Sequence, residues 1–195
     1  TGTYPTAYQT SLAASTYYPS IWLFDKLNTH MNYAICTGVS WNFYADNMGA
    51  QLIGISAHDG SNNITANSVF NLTTNSGLIS AGADAGIIGI RQLSTTPDQT
   101  LSTNTIHSLT AANLTQPVNV VGVYYRGAAT GTNTINRNFI HSINQKNASG
   151  DVASVIGLQV SGGNSRYQNN MIQVGIASDG SAITRGHLIT GISES

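Results

Sequence analysis

Short apolar runs alternate along this chain with stretches rich in Thr, Ser, Asn and Gly, and one run recurs. It reads apolar-x-Gly-apolar: "LIGI" around Gly54, "IIGI" around Gly89, "VVGV" around Gly122 and "VIGL" around Gly157. A slipped copy, "ITGI" around Gly191, ends the series, and the intervals are 35, 33, 35 and 34 residues. A second pattern, apolar-x-x-Asn-x-apolar-x-x-apolar, follows each of the first four. It is "ITANSVFNL", "LSTNTIHSL", "INRNFIHSI" and "YQNNMIQVG", with Asn67, Asn104, Asn138 and Asn170 spaced by 37, 34 and 32 residues. The last copy departs from the pattern at its final position.

A period near 34 also suits helical repeats, but these residues exclude one. Each unit carries several Gly, many Thr and Asn, and β-branched runs such as "PVNVVGVYY", where a helical repeat needs good helix formers at helical spacing. Each unit therefore predicts two or three short strands joined by turns. The solution that buries them is an all-β, right-handed parallel β-helix, a solenoid with about 34-residue coils stacked ~4.8 Å apart. The hand rests on the general preference for right-handed crossovers.

Equivalent residues then lie above one another. Val69, Ile106, Ile140 and Ile172 are expected as an inward aliphatic stack. Gly54, Gly89, Gly122 and Gly157 are expected to mark a bend or a close backbone approach. Asn67, Asn104, Asn138 and Asn170 are expected as a ladder at a corner, their amides satisfying backbone groups that a bend leaves unpaired. "RQLSTTPDQT", "YRGAATGTNT", "VSGGNSR" and the segments after the Asn strand read as exposed loops. Residues 41–195 hold the repeats. Residues 1–40 are richer in aromatics and lack a clean copy of either pattern, so they read as degenerate first coils or an N-terminal cap. Asn32, 35 residues before Asn67, is the one hint of register there.

Composition narrows the class. Ser, Thr and Asn make up 63 of 195 residues, which fits many strands and turns, and 41% hydrophobic residues supply a core. Charged residues are only 8% and the net charge is −1, so nothing marks a nucleic-acid footprint. No apolar run is long enough to span a bilayer. The single Cys36 allows no internal disulfide. The scarcity of Lys and Glu points to a secreted, extracellular or cell-surface bacterial protein, and the start at Thr1 to a mature or excised segment.

The patterns "NTIHSL", "NRNFIHSI", "VVGVYYRG" and "VIGLQVSGGNSRYQNNMIQVG" resemble the repetitive right-handed parallel β-helix segments of large secreted bacterial surface proteins, within the pectate-lyase-like architecture. The resemblance covers about residues 41–195. It implies stalk, adhesin or surface-layer material and supplies no catalytic set.

Candidate chemistry is sparse. His107–Ser108 suggests half of a catalytic triad, but His141–Ser142 repeats it one coil on. A triad needs one nucleophile and one base, so the pair reads as a stacked face that could contact a ligand. The eight acids, Asp25, Asp46, Asp59, Asp84, Asp98, Asp151, Asp179 and Glu194, include no two close in sequence, which weakens a glycosidase. His58 and Asp59 in "SAHDGSNN", one His and one Asp, are too few for a metal site without partners and read as a turn. Tyr124 and Tyr125 in "VYYRG" offer a surface for sugar stacking, although one of two adjacent strand residues faces inward. Asn63, Asn71, Asn113 and Asn147 head Asn-x-Ser/Thr sequons. The expectation is a non-catalytic structural or adhesive segment without cofactor or metal. It would self-associate end to end or laterally into rods or filaments, or meet a polysaccharide or matrix ligand. The alternatives are a carbohydrate-binding module and a polysaccharide lyase or glycoside hydrolase.

Overall fold

The structure, a computed structural model, describes residues 30–31, 35–36, 51–147, 152–184 and 187–194. Every pairing between its named strands is parallel, in three five-stranded sheets. Sheet A holds β1 (His30–Met31), β4 (Asn63–Thr65), β7 (Thr100–Ser102), β10 (Asn133–Asn136) and β13 (Ser165–Gln168). Sheet B holds β2 (Ile35–Cys36), β5 (Ser68–Thr74), β8 (Thr105–Ala111), β11 (Phe139–Gln145) and β14 (Met171–Ile172). Sheet C holds β3 (Leu52–Ala57), β6 (Ile87–Gln92), β9 (Val120–Tyr125), β12 (Ser154–Val160) and β15 (Leu188–Glu194). The chain visits C, A and B in turn and returns to C one rung higher. About four coils of a parallel β-solenoid result. The one helical element among the described residues is a 3-10 turn at Gly82–Asp84.

The register follows the sequence repeat. Val69 pairs with Ile106, Ile106 with Ile140 and Ile140 with Ile172. Ile156 pairs with Thr190 and Leu158 with Ile192, so the last glycine copy is in step rather than slipped. At the other end His30 pairs with Asn63 and Ile35 with Ser68, a register of 33 residues rather than the 35 suggested by Asn32 and Asn67. The rest of residues 1–40, with the choice between cap and coil, lies outside the described residues.

The interior is filled by columns, one residue per coil. Leu52, Ile87, Val120 and Val155 form one from sheet C. Ile64, Leu101 and Ile135 come from sheet A, and Val69, Ile106 and Ile140 from sheet B; all are buried in a single cluster. Leu52 and Ile55 both belong to this inner cluster, whereas Ile53 belongs to a second one on the outer side of sheet C. Strict alternation would put Ile53 and Ile55 on the same face, so Gly54 is where the pleat breaks. The glycine also removes a clash. A Cβ on Gly54 would lie 2.4 Å from Val69 Cγ1 and 2.6 Å from the Gly89 carbonyl oxygen. On Gly122 it would meet Ile140 Cγ2 at 2.5 Å and the Gly157 oxygen at 2.6 Å. Sheets B and C thus approach so closely that the glycine column lets the aliphatic column in.

Several bends per coil use left-handed backbone, two of them next to sheet B and mostly at residues other than glycine. Ala66, Thr103, Arg137 and Asn169 have φ of 57, 54, 54 and 54°, and Asn71, Ser108 and Ser142 have 57, 55 and 53°. The first set turns the chain from sheet A to sheet B. The second bends the sheet B strand so that Val69 and Leu72, three apart, both reach the core.

At β3, β6 and β9, sheet C is buried on both faces. Ile53, Ile88, Val121, Tyr124 and Ile156 form the outer cluster, against which Ala83 and Leu93 pack. Asn119 pins the covering segment, donating through Nδ2 to the Ile79 and Ser80 carbonyls at 2.9 Å each. Parts of the expected loops are also interior. Arg91, Gln92, Ser94 and Gln99 of "RQLSTTPDQT" are buried, and only residues 95–98 of that stretch are exposed.

Gly122→Ala is expected to destabilise the protein by at least about 2 kcal/mol, because both clashing atoms belong to a packed core that cannot yield locally. Chemical denaturation followed by circular dichroism measures it.

Candidate functional site

The Asn residues build a continuous amide ladder. The backbone N–H and the Nδ2 of Asn67 both donate to Asn104 Oδ1, at 3.0 and 2.9 Å. Asn104 gives the same two bonds to Asn138, and Asn138 to Asn170. Each Nδ2 also reaches back to a carbonyl of the coil before: Asn104 to Ile64, Asn138 to Leu101 and Asn170 to Ile135, at 2.9 Å each. The corner residue before each Asn is left-handed, and the amide supplies the hydrogen bonds that this turn takes from the sheet. At the lower end, the buried Asn67 Oδ1 has no hydrogen-bond partner among the described residues.

A second ladder runs five residues upstream. The Asn62 N–H donates to Gln99 Oε1 at 2.9 Å and the Gln99 N–H to Asn133 Oδ1 at 3.1 Å. Gln99 Nε2 and Asn62 Nδ2 both donate to the Gly60 carbonyl, and Asn133 Nδ2 to that of Asn164. The sequence reading missed these residues. The signal was there, a buried amide five residues before each of the first three ladder Asn, but Gln99 interrupts the run of Asn and Ser165 ends it.

The outer face of sheet B carries rings. Phe70, His107 and His141 occupy one column. Phe70 stacks on His107 at 5.0 Å and 4° between planes, and His107 on His141 at 4.9 Å and 6°. Phe139 packs against His141 at 4.3 Å. Each histidine is followed by a left-handed serine, which turns its hydroxyl onto the ring. His107 Nδ1 lies 3.0 Å from Ser108 Oγ, and His141 Nδ1 2.9 Å from Ser142 Oγ. Burial lowers the pKa of both imidazoles, and the charge of His141 lowers that of His107 further.

The tyrosines correct an expectation. Tyr124 and Tyr125 were candidates for surface contact, and both are buried, at 6% and 0% exposure. Tyr125 faces the core, where its Oη accepts from Ser165 Oγ at 3.3 Å and burial raises its pKa. Tyr124 faces outward but is covered, with Gly82 beside its ring, because sheet C has a second apolar layer. Neither offers a sugar platform.

The remaining candidates serve the scaffold. Asp59 and Gly60 form a turn closed by Asn62 Nδ2. Nearby His58 Nε2 lies 3.3 Å from Arg91 Nη2. Arg91 also donates to Ser56 Oγ, Gln51 Oε1 and the Ala83 carbonyl, and burial lowers its pKa while Asp84 opposes that. Asp98 Oδ1 accepts from the Thr132 N–H one coil on, and Asp179 Oδ1 from the N–H and Oγ of Ser181. Asp25, Asp46 and Asp151 lie outside the described residues. Among the described residues no three His, Cys, Asp or Glu gather as a metal-binding group, and no helix is long and apolar enough to cross a membrane.

In-register coils, amide ladders and three parallel sheets define the class: a parallel β-solenoid. Scans against protein-family models, curated proteins and solved structures returned no match for the chain.

Two predictions follow the chemistry of the ladders. Asn104→Ala leaves the buried Asn67 N–H without its acceptor and removes the side-chain donor to the Ile64 carbonyl, and is expected to cost about 2 kcal/mol, read by denaturant titration. The histidines impose an acid limit. Their folded pKa values lie below the unfolded value of about 6.5, so the unfolded chain binds more protons as pH falls. Stability is therefore expected to hold above pH ~6.5 and to decline as pH drops towards the folded values. In His107→Gln/His141→Gln this component is expected to vanish, as thermal melts at a series of pH values will show.

Proposed function

We propose that this chain is a non-catalytic, structural or adhesive segment of a secreted bacterial surface protein, and that it works as a stiff rod built to be extended. One observation carries the reading. At the last described rung, β13, β14 and β15 each pair on one side only among the described residues, and the interior side chains there are largely apolar. Ile192, register partner of the buried Leu158, is 56% exposed, and Ile172 and Ile189 are only partly buried. A strand edge with open N–H and C=O groups accepts another strand. An apolar end face adds a driving force for a further rung. Two interior columns finish on polar-tipped residues, Tyr167 above Ile135 and Glu194 above Val160. The end face is therefore apolar at its centre and polar at parts of its rim.

The way polar groups are used supports the same reading. The amides and carboxylates described above mostly hold one coil on the next or close a turn. The low charge and the resemblance to surface-protein β-helices bear on secretion, and a signal peptide and further repeats in the full gene would support it.

Light scattering across a dilution series tests the extension. Mass is expected to rise with concentration for the wild-type chain, and Ile192→Lys, which places a charge at the centre of the end face, is expected to stay monomeric. A wild-type monomer at every concentration would overturn end-to-end association.

A further inference from the structure

We propose that His107 and His141 form a two-imidazole site for a divalent transition-metal ion, with copper(II) the tightest binder. The pair is prepared in three ways. The rings share one column and one orientation, 4.9 Å apart and within 6° of parallel. Each Nδ1 is engaged by the hydroxyl of the following serine, at 3.0 and 2.9 Å. That leaves Nε2 as the coordinating atom on each ring. Neither Nε2 is among the buried atoms lacking a partner, and no group among the described residues is bonded to either, so both are open to solvent.

The chemistry suits an imidazole-preferring ion. A ligating histidine usually hands its other ring nitrogen to a hydrogen-bonding group, which fixes the tautomer and the ring. Ser108 and Ser142 fill that role, because the left-handed backbone of the bend aims their Oγ at the ring. Two Nε2 atoms in neighbouring positions of the square-planar or tetragonal set that copper(II) prefers, at about 2.0 Å from the ion, lie about 2.8 Å apart. Parallel rings 4.9 Å apart aim their Nε2 lone pairs side by side, so each ring tips towards the other by about 45° to meet one ion, a rotamer change open to side chains on an outer face. Water completes the coordination. Copper(II) stands highest in the affinity order of the divalent first-row ions for such nitrogen ligands. Phe70 and Phe139 flank the pair and limit how the rings can turn away.

Either histidine alone is a one-point ligand, so the affinity resides in the pair. The test is calorimetric titration of the tag-free chain with copper(II) chloride in a non-coordinating buffer, alongside His107→Gln, His141→Gln and the double variant. Glutamine is tolerated in this column, since Gln173 occupies its last rung, and melts in metal-free buffer verify that each variant folds. The wild type is expected to bind one equivalent at least ten-fold tighter than any variant, both single variants falling to the level of the double. The electron paramagnetic resonance spectrum of the wild-type complex is expected to report two equatorial nitrogens lost together in either single variant. Ser108→Ala/Ser142→Ala is expected to weaken binding about ten-fold or more without removing the two-nitrogen signature. Equal affinity in wild type and double variant, or a spectrum unchanged by either substitution, would overturn the site.

Discussion

Everything in this molecule follows from stacking parallel coils in register. Backbone hydrogen bonds fix each residue above its counterpart about 4.8 Å away, so a side chain must suit a column as well as its own coil. An aliphatic column satisfies this by packing. A glycine column satisfies it by absence, since the neighbouring strand fills the space that a Cβ would take. An asparagine column does so through its donors and its acceptor: each amide binds the rung before and the rung after. A carboxylate, which only accepts, could not continue such a chain. The buried Asn104, with Asn67 below and Asn138 above, is the working unit of the corner.

What the sequence made legible is what the columns repeat in kind. Gly54, Gly89, Gly122 and Gly157 share one residue type because only one fits, and Asn67 through Asn170 share another because only an amide carries the ladder. The parallel solenoid could be read from those two marks. The left-handed corner before the ladder was not legible: Ala66, Thr103, Arg137 and Asn169 meet one backbone demand with four side chains, because the turn constrains φ and the side chains point away. The second ladder was hidden in a milder way. Gln99 reaches the same backbone groups as Asn62 and Asn133 with one more methylene, and the eye that follows Asn passes over it.

Tyr124 and Tyr125 show a different limit. Alternation along a strand predicts that one of the two faces inward, as Tyr125 does. It does not predict that the opposite face is also covered. That depends on a segment near the 3-10 turn, which Asn119 ties down from a later coil. Burial of this kind is set by what folds over the sheet, and no local pattern in β9 encodes it.

The same stacking rule accounts for the low charge and gives the histidine column its interest. Like charges one rung apart repel at close range, without a flexible stem long enough to separate them fully. Arg91 stands between Ser56 and Tyr124, Arg166 follows Thr134, and Glu194 follows Val160, so in each case the adjoining rung is uncharged. His107 above Phe70 and below His141 breaks this spacing with two ionisable groups on consecutive rungs. The arrangement is stable while the rings are neutral, and burial favours that form. It also leaves two coordinating nitrogens side by side on a rigid surface. A column that needs only ring-shaped filler is served equally well by phenylalanine, as at Phe70. Choosing imidazole twice, each time with a serine at the bend, gives this face a chemistry that packing alone does not require.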